Sequence, residues 1–175
     1  AKDQLYVTNG YVLTHNTGKS KVAIDLIANR DHRRVLIIAP KKVIEEGTWH
    51  RQFAEHCPVT YSIRDLTLSR YSLLSKALAV RAPSHAAHAD VTLINYESCW
   101  REPLAGALLE AGYDLVVADE CHRLAAPGSR QSMFATKIGR KVPWRLGLSG
   151  TPMTQTPYSV YAQYRFLDDS IYGRS

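Results

Sequence analysis

Short apolar segments alternate with longer segments of helical periodicity along the chain. Most of the short segments are apolar on both faces, which is typical of strands in a parallel sheet that is covered by helices on both sides. A half-exposed antiparallel sheet would instead alternate apolar with polar residues. The pattern predicts strands over Tyr11–Leu13, Val35–Ala39, Thr60–Ile63, Val91–Ile94, Leu115–Ala118 and Arg145–Leu148. We therefore predict an α/β fold, a three-layer parallel sheet flanked by helices and built from βαβ units.

The segments between the predicted strands carry apolar residues at helical spacing. In Lys21–Ala28 the apolar side chains share one face, and Trp49 and Phe53 are one turn apart. Pro103–Ala111 begins with proline and is followed by glycine, the usual punctuation of a helix. We predict helices in these three regions and over Tyr158–Leu167, and an exposed connection over Arg81–Asp90.

Composition limits the class of protein. The chain has 175 residues, 45% of them hydrophobic, which suffices for one core and excludes a disordered or collagen-like chain. The three cysteines are widely spaced and form no Cys-x-x-Cys pair, which argues against a disulfide scaffold and a four-cysteine zinc site. No apolar run approaches the roughly 20 residues that cross a bilayer. We expect a soluble, cytoplasmic protein with no membrane partner.

The charge balance is mildly basic. The sequence has 22 Lys and Arg against 16 Asp and Glu, a formal net charge of +6. Such an excess is compatible with a polyanionic partner, but many ordinary domains carry it as well. Charge alone therefore does not identify a ligand.

The sharpest local motif is Thr17-Gly18-Lys19-Ser20, which follows an apolar pair and opens the helix that begins near Lys21. In such a loop, backbone N–H groups and the helix N-terminus point at phosphate oxygens, the lysine reaches the outer phosphates and the serine hydroxyl binds Mg²⁺. The full pattern asks for glycine five residues before Gly18, where this chain has Leu13. The alternative is a surface turn with a solvated lysine.

A second motif follows about a hundred residues later, where an apolar strand ends in Asp119 and Glu120. Asp119 at the strand tip is placed to hold Mg²⁺ through water, and Glu120 to orient and deprotonate the water that attacks a γ-phosphate. An unpaired buried charge is costly, so packing does not readily explain two adjacent acids there. The alternative is a solvated turn with an ordinary acidic pair.

A third segment, Leu146–Pro152, ends another strand with small hydroxyl residues. Together with the first two motifs, it suggests that Ser149 and Thr151 sense the state of a nucleotide and transmit it. All three segments lie at carboxyl ends of predicted strands, where open α/β sheets bind ligands.

The motifs occur in the order and spacing of one superfamily. They are Gly18-Lys19-Ser20, Ala39-Pro40-Lys41 followed by Trp49 and Phe53, Asp119-Glu120-Cys121-His122, and Ser149-Gly150-Thr151-Pro152. With this set the chain resembles the N-terminal RecA-like lobe, a P-loop NTPase fold, of a DEAD/DEAH-like superfamily 2 helicase. The Leu-Ser-Gly-Thr-Pro-Met block and Tyr161–Leu167 are most similar to the Swi/Snf-related branch, including its phage and bacterial members.

The resemblance implies ATP and Mg²⁺ as cofactors and gives each site residue a role. Asp119 is the magnesium acid, Glu120 the catalytic base, and His122 couples the nucleotide site to Ser149–Thr151. Lys19 is the phosphate lysine and Ser20 the magnesium hydroxyl, and the loop residues Asn16, Thr17 and Gly18, together with Ser149 and Thr151, complete the nucleotide site. Family members usually carry glycine where this chain has Asn16; asparagine tolerates positive φ, so the loop can close with some strain.

The resemblance also implies a nucleic-acid partner, with duplex DNA preferred. In such proteins the Ala39–Lys41 segment, with Pro40 and Lys41, and the turn of Asn95 and Tyr96 face the nucleic-acid backbone. Each position has a simpler alternative, because Pro40 can end a strand, Tyr96 can be core, and Lys41 can be solvated.

Family members hydrolyse ATP between two RecA-like lobes, and the second lobe supplies arginines that stabilise the transferring phosphoryl group. By this resemblance residues 1–175 are one lobe, and the second lobe is a partner that the chain lacks. We expect weak ATP binding and slow or no turnover by the chain alone. The other hypotheses are a RecA-like binding or assembly module that has lost turnover, and the motor lobe of a restriction-type translocase or RNA helicase.

Overall fold

A computed structural model describes residues 6–8, 11–14, 18–82, 88–152 and 158–172 of the chain. Its centre is a seven-stranded sheet in the order β1-β2-β7-β6-β3-β5-β4. The strands are β1 (Tyr6–Thr8), β2 (Tyr11–Thr14), β3 (Arg34–Ala39), β4 (Tyr61–Asp65), β5 (Ala89–Asn95), β6 (Leu115–Asp119) and β7 (Trp144–Leu148).

Six of these strands run parallel, and β1 alone pairs antiparallel with β2 at one edge. The predicted parallel sheet is therefore confirmed, and each predicted strand overlaps an observed one. The antiparallel β1 was not predicted, because a three-residue strand carries too little pattern to be recognised.

Helices cover both faces of the sheet. They are α1 (Lys19–Asn29), α2 (Lys41–Glu45), α3 (Thr48–His56), α4 (Leu73–Arg81), α5 (Leu104–Glu110), α6 (Arg130–Gly139), α7 (Tyr158–Leu167) and α8 (Asp169–Tyr172), with a 3₁₀ helix at Cys121–Leu124. Helices α1, α2 and α3 pack on one face, and α4 to α7 pack on the other.

Strand β3 shows why both faces need helices. Val35, Ile37 and Ala39 enter the core on the α1 side, while Leu36 and Ile38 enter the core on the α4 side. All five side chains are fully buried. The uninterrupted apolar run is thus explained by burial on both faces, as in other parallel sheets.

The prediction of an exposed connection over Arg81–Asp90 is wrong at both ends. Arg81 ends α4, and Ala89 and Asp90 are buried in β5. Asp90 tolerates burial because Ser62 Oγ donates to its Oδ1 at 3.2 Å and Arg64 lies 3.8 Å from its Oδ2. Residues 83–87 lie outside the described part of the chain.

Helices α2, α4, α6 and α8 were also absent from the prediction. Helices α2 and α8 have only five and four residues, and the buried positions of α6 include Ser132, Thr136 and Gly139, so its buried face is not marked by apolar residues. Ser72 and Ser129 accept the N–H groups that begin α4 and α6, so both starts carry ordinary serine caps. Among the described helices, none combines the length and apolar character that crossing a membrane requires.

Candidate functional site

The parallel sheet brings the carboxyl ends of separate strands to one edge. Thr14 of β2 and Asp119 of β6 both pair with Leu148 of β7, so these three strands end at the same level. The segments that follow them are the three predicted chemical motifs. The motifs are far apart in the sequence, and the topology of the sheet places them together.

The first motif opens helix α1. Gly18 occupies its N-cap position with φ of 112° and ψ of −4°, a backbone conformation that L side chains rarely adopt. Within the described residues, no side chain caps the first N–H groups of α1. An 11-residue helix with uncapped donors suits an anion. The predicted loop residues Asn16 and Thr17 lie outside the described part of the chain.

The second motif meets the first through an ion pair. Lys19 Nζ lies 2.9 Å from Glu120 Oε1, although the residues are 101 positions apart. Both side chains are largely shielded from solvent, with relative exposures of 16% and 30%. The pair therefore joins the start of α1 to the end of β6.

Glu120 has a left-handed backbone, with φ of 50° and ψ of 52°. This conformation costs a non-glycine residue roughly 1–2 kcal/mol. It reverses the chain between β6 and the 3₁₀ helix and brings the carboxylate to Lys19. Such strain is characteristic of functional sites, where the surrounding structure maintains it.

Asp119 is held tightly at the end of β6. Its side chain is 6% exposed, Trp49 Nε1 donates to its Oδ2 at 3.1 Å, and the backbone N–H of Glu120 donates to its Oδ1 at 3.0 Å. Burial raises the pKa of Asp119 to about 6, with a further contribution from the adjacent Glu120 carboxylate. The Trp49 hydrogen bond and the charge of Lys19 oppose that shift.

His122 connects the second motif to the third. Its Nδ1 lies 3.2 Å from Glu120 Oε2 and 3.1 Å from Ser149 Oγ, and Ser149 Oγ also accepts the backbone N–H of Thr151 at 3.1 Å. Together with the Lys19–Glu120 pair, these contacts form one continuous polar chain from α1 to the segment after β7. Ser149 is fully buried, so its hydroxyl faces this chain rather than solvent.

The predicted nucleic-acid residues occupy different environments. Pro40 is buried at the N-cap of α2, and Lys41 is exposed and pairs with Glu45 at 3.4 Å. Asn95 is 3% exposed, and its Nδ2 donates to Glu97 Oε2 at 2.8 Å.

Tyr96 is fully buried, and its hydroxyl donates to the backbone carbonyl of Asp119 at 2.7 Å. Burial holds the pKa of Tyr96 well above its usual range, so this hydroxyl stays a donor. The structure thus favours the core alternative for Tyr96, where the side chain supports the strand that carries Asp119.

Three supporting contacts, made by two residues, were not recognised in the sequence. Trp49 was identified as part of a predicted helix and of the family-like motif set, and its bond to Asp119 was missed. Gln163 of α7 accepts from Cys121 Sγ at 3.3 Å and donates to the carbonyl of Pro152 at 2.7 Å. Gln163 is buried, so both ends of its amide need partners, but α7 also contains Arg165 and no pattern in the sequence marks Gln163 as buried.

The donor set suits a nucleotide with a divalent cation. Ser20 stands next to Lys19 in the first turn of α1, and Asp119 supplies carboxylate oxygen at the end of β6, one strand away from β2 across β7. Hydroxyl, carboxylate and water oxygens are the ligands that Mg²⁺ prefers. A lysine and free helix N–H groups complement phosphate.

Comparisons with known proteins identify the family and the fold. Residues 8–154 match the family described as "Type III restriction enzyme, res subunit". Over 145 residues the chain is 29% identical to the ISWI chromatin-remodeling complex ATPase ISW2 of Saccharomyces cerevisiae, covering 80% of this chain and 12% of that protein.

Solved structures that share the fold include two helicase-family proteins. The Sulfolobus solfataricus SWI2/SNF2 ATPase core in complex with dsDNA has a TM-score of 0.68 at 16% identity, over 93% of this chain and 32% of that one. The Pyrococcus furiosus Hef helicase domain has a TM-score of 0.63 at 23% identity, over 90% and 32%. The chain thus spans about a third of each of these structures. It belongs to the type III restriction enzyme res-subunit family, and its fold is the N-terminal RecA-like lobe of a superfamily 2 helicase.

Proposed function

We propose that this chain binds ATP with Mg²⁺ and is the hydrolytic lobe of a motor that moves on nucleic acid, with duplex DNA preferred. The observation that carries the proposal is the 2.9 Å ion pair between Lys19 and Glu120. It brings the lysine of a phosphate-binding helix start against the acid that follows a buried strand. The family to which the chain belongs consists of ATP-hydrolysing helicases and translocases.

In this proposal, the start of α1 binds the phosphates. Backbone N–H groups after Gly18 donate to phosphate oxygens, Lys19 contacts the outer phosphates, and Ser20 provides a hydroxyl ligand for Mg²⁺. From the sequence, Asn16 and Thr17 are predicted to belong to the same phosphate-binding loop. The left-handed backbone of Gly18 supports this role because it lets the loop turn directly into the helix.

The acids at the end of β6 carry the hydrolytic chemistry. Asp119 holds Mg²⁺ through water, and Glu120 orients the attacking water and accepts its proton. Bound ATP with Mg²⁺ supplies the phosphoanhydride bond and the charge neutralisation that its cleavage requires. Lys19 and Glu120 pair with each other in the structure, so phosphate binding by Lys19 frees the Glu120 carboxylate for water.

The polar chain through His122 provides the coupling. The Nδ1 atom of His122 contacts both Glu120 and Ser149, and Ser149 binds the backbone of Thr151. A change at the catalytic base therefore reaches Ser149 through its contact with the His122 ring and the hydrogen bond between that ring and Ser149. In the proposal, the segment after β7 reports nucleotide state to the remainder of the motor.

Lys41 is the described residue that best supports a nucleic-acid contact, because it is exposed beside the carboxyl edge of the sheet. The related Sulfolobus structure is a complex with dsDNA, which favours the same partner here. A second RecA-like lobe would supply the arginines that complete the site, and we propose slow or absent turnover without it. The family match equally admits a restriction-type translocase, which uses the same nucleotide site.

Phosphate release tests the proposal. We compare the chain alone with the chain joined to its second lobe, with and without duplex DNA, and repeat the assay with Lys19→Ala and Glu120→Gln. The joined protein should release phosphate faster with DNA, and each substitution should lower the rate by at least about a hundredfold. Unchanged rates in both variants would contradict the assignment, and DNA-independent rates would contradict the motor.

A further inference from the structure

The strongest feature outside the assigned catalytic groups is the hydrogen bond between Trp49 and Asp119. The Nε1 of Trp49 donates to Asp119 Oδ2 at 3.1 Å, across 70 positions of sequence. Trp49 is fully buried and Asp119 is 6% exposed. An indole N–H can only donate, so the carboxylate oxygen must be the acceptor.

The indole cannot easily move away. The Trp49 ring packs against Phe53 with ring centroids 6.2 Å apart, and Phe53 packs against Tyr61 at 5.1 Å. This aromatic row belongs to the core on the α1 side of the sheet. The packing of these three rings fixes the orientation of the Trp49 N–H group, and its hydrogen bond fixes the position of Asp119 Oδ2.

Both oxygens of Asp119 are restrained in this way. Oδ2 accepts the Trp49 bond, and Oδ1 accepts the backbone N–H of Glu120 at 3.0 Å. A buried indole needs some acceptor, and a neutral carbonyl would satisfy it without the cost of burying a charge. Because Trp49 bonds to a buried carboxylate instead, we infer that the position of the Asp119 carboxylate matters for function.

We propose that Trp49 is a positioning residue that holds Asp119 in the orientation required to bind Mg²⁺. The inference rests on the proposed function, in which Asp119 is the magnesium acid. Hydrogen-bond partners of metal-binding groups typically contribute about 10- to 100-fold to metal affinity. Trp49 touches neither nucleotide nor water in this role and acts only through Asp119.

A first experiment tests the contact itself. The chain has three tryptophans, so its ¹H–¹⁵N spectrum should contain three indole N–H signals, and Trp49→Phe assigns the one that disappears. Asp119→Asn should shift the Trp49 signal more than the signals of Trp100 and Trp144. An unshifted Trp49 signal would overturn the contact and the proposal with it.

A second experiment tests the role. Binding of a fluorescent, non-hydrolysable ATP analogue is titrated with MgCl₂ in wild type, Trp49→Phe and Trp144→Phe. Trp144 is a matched control because it is partly buried and its ring faces His32 at 5.8 Å, away from the acids. Trp49→Phe should raise the magnesium midpoint by about tenfold or more, while Trp144→Phe stays within about twofold. Nucleotide affinity without MgCl₂ should be equal in all three.

Phe53→Leu provides a second test in case Trp49→Phe does not fold. It keeps the indole donor but loosens the ring behind it, so it should give an intermediate magnesium midpoint. A folded Trp49→Phe protein with an unchanged midpoint would overturn the proposal. If wild type shows no magnesium-dependent binding while Asp119→Asn still shifts the Trp49 signal, the proposed function fails and the magnesium role fails with it, although the contact stands.

Discussion

The Nδ1 atom of His122 lies 3.1 Å from Ser149 Oγ, which joins the segment after β6 to the segment after β7. The same ring atom lies 3.2 Å from Glu120 Oε2. Because Glu120 also pairs with Lys19, the start of α1 and the ends of two strands share one polar chain. A perturbation at any member of this chain should change hydrolysis more than folding.

Ser149→Ala tests that relationship. The variant loses the hydroxyl that contacts His122 and accepts the Thr151 N–H, but it keeps the small buried volume. We expect Mg²⁺-dependent ATP binding to stay within about threefold of wild type, and phosphate release by the joined two-lobe protein to fall by about tenfold or more. A larger loss in binding than in phosphate release would contradict the coupling role and indicate a direct nucleotide contact.

Gly18 should tolerate no side chain without loss of phosphate binding. Among the described residues, a Cβ at Gly18 would meet no atom within 4 Å, but φ of 112° is strained for any L residue. Gly18→Ala should therefore either distort the start of α1 or destabilise the protein by roughly 1–2 kcal/mol.

Titration with a fluorescent ATP analogue and urea unfolding measure the two effects of Gly18→Ala. Gly128→Ala is a suitable control, since Gly128 also has open space around its Cβ position but no positive φ. Equal effects of the two substitutions would contradict the importance of the Gly18 backbone.

The left-handed backbone of Glu120 should lower the stability of the protein while placing the catalytic carboxylate. Glu120→Gly and Glu120→Gln both remove the proposed base and the ion pair with Lys19, but only glycine relieves the left-handed backbone. Glu120→Gly should be more stable than Glu120→Gln by about 1 kcal/mol in urea unfolding, and both should lack hydrolysis. Equal stability of the two variants would show that the backbone at Glu120 is unstrained.

Asp114 should stabilise the protein in a pH-dependent way at the amino ends of β3 and β6, opposite the candidate site. Its Oδ2 accepts the N–H groups of Arg33 at 2.7 Å and Arg34 at 3.2 Å. Burial acts to raise the pKa of Asp114, but His32 and these two donors outweigh it and lower the pKa overall. A carboxyl with a lowered folded-state pKa contributes stability above its unfolded pKa of about 3.9 and loses it as pH falls through the folded value.

Asp114→Asn should therefore cost about 1–3 kcal/mol at pH 7, and the cost should shrink below about pH 4. Urea unfolding at both pH values measures the difference. Asp25→Asn serves as the control, because Asp25 is exposed and pairs with Lys21 across one helical turn, so its loss should cost under about 0.5 kcal/mol at either pH. A cost for Asp114→Asn that does not change with pH would contradict a role for the charge.

Much of the fold was predictable because burial on both faces leaves a clear pattern. The run Val35–Ala39 is apolar at every position, and Tyr158–Leu167 forms a helix with the predicted bounds. Asp90 was misjudged because its burial depends on Ser62 and Arg64 from the neighbouring strand, which no local pattern reveals.

The candidate site was predictable where a motif is contiguous. Asp119 and Glu120 are adjacent in sequence, and their juxtaposition with Lys19 follows from the order of strands in a parallel sheet. The Trp49–Asp119 and Cys121–Gln163 hydrogen bonds could not be predicted, since each joins residues more than 40 positions apart through side-chain orientation alone. Tertiary packing decides such contacts, and local sequence pattern does not.

Magnesium-dependent nucleotide binding by this chain is the most direct test of the nucleotide site. Wild type, Lys19→Ala and Lys21→Ala are titrated with a fluorescent ATP analogue, with and without MgCl₂. Lys21 is two positions further along α1 and is exposed in a pair with Asp25, so it controls for the loss of positive charge. We predict magnesium-dependent binding that Lys19→Ala weakens by about tenfold or more, while Lys21→Ala stays within about twofold. Equal affinities for Lys19→Ala and wild type, or binding that does not depend on magnesium, would contradict a nucleotide site formed by Lys19, Asp119 and Glu120.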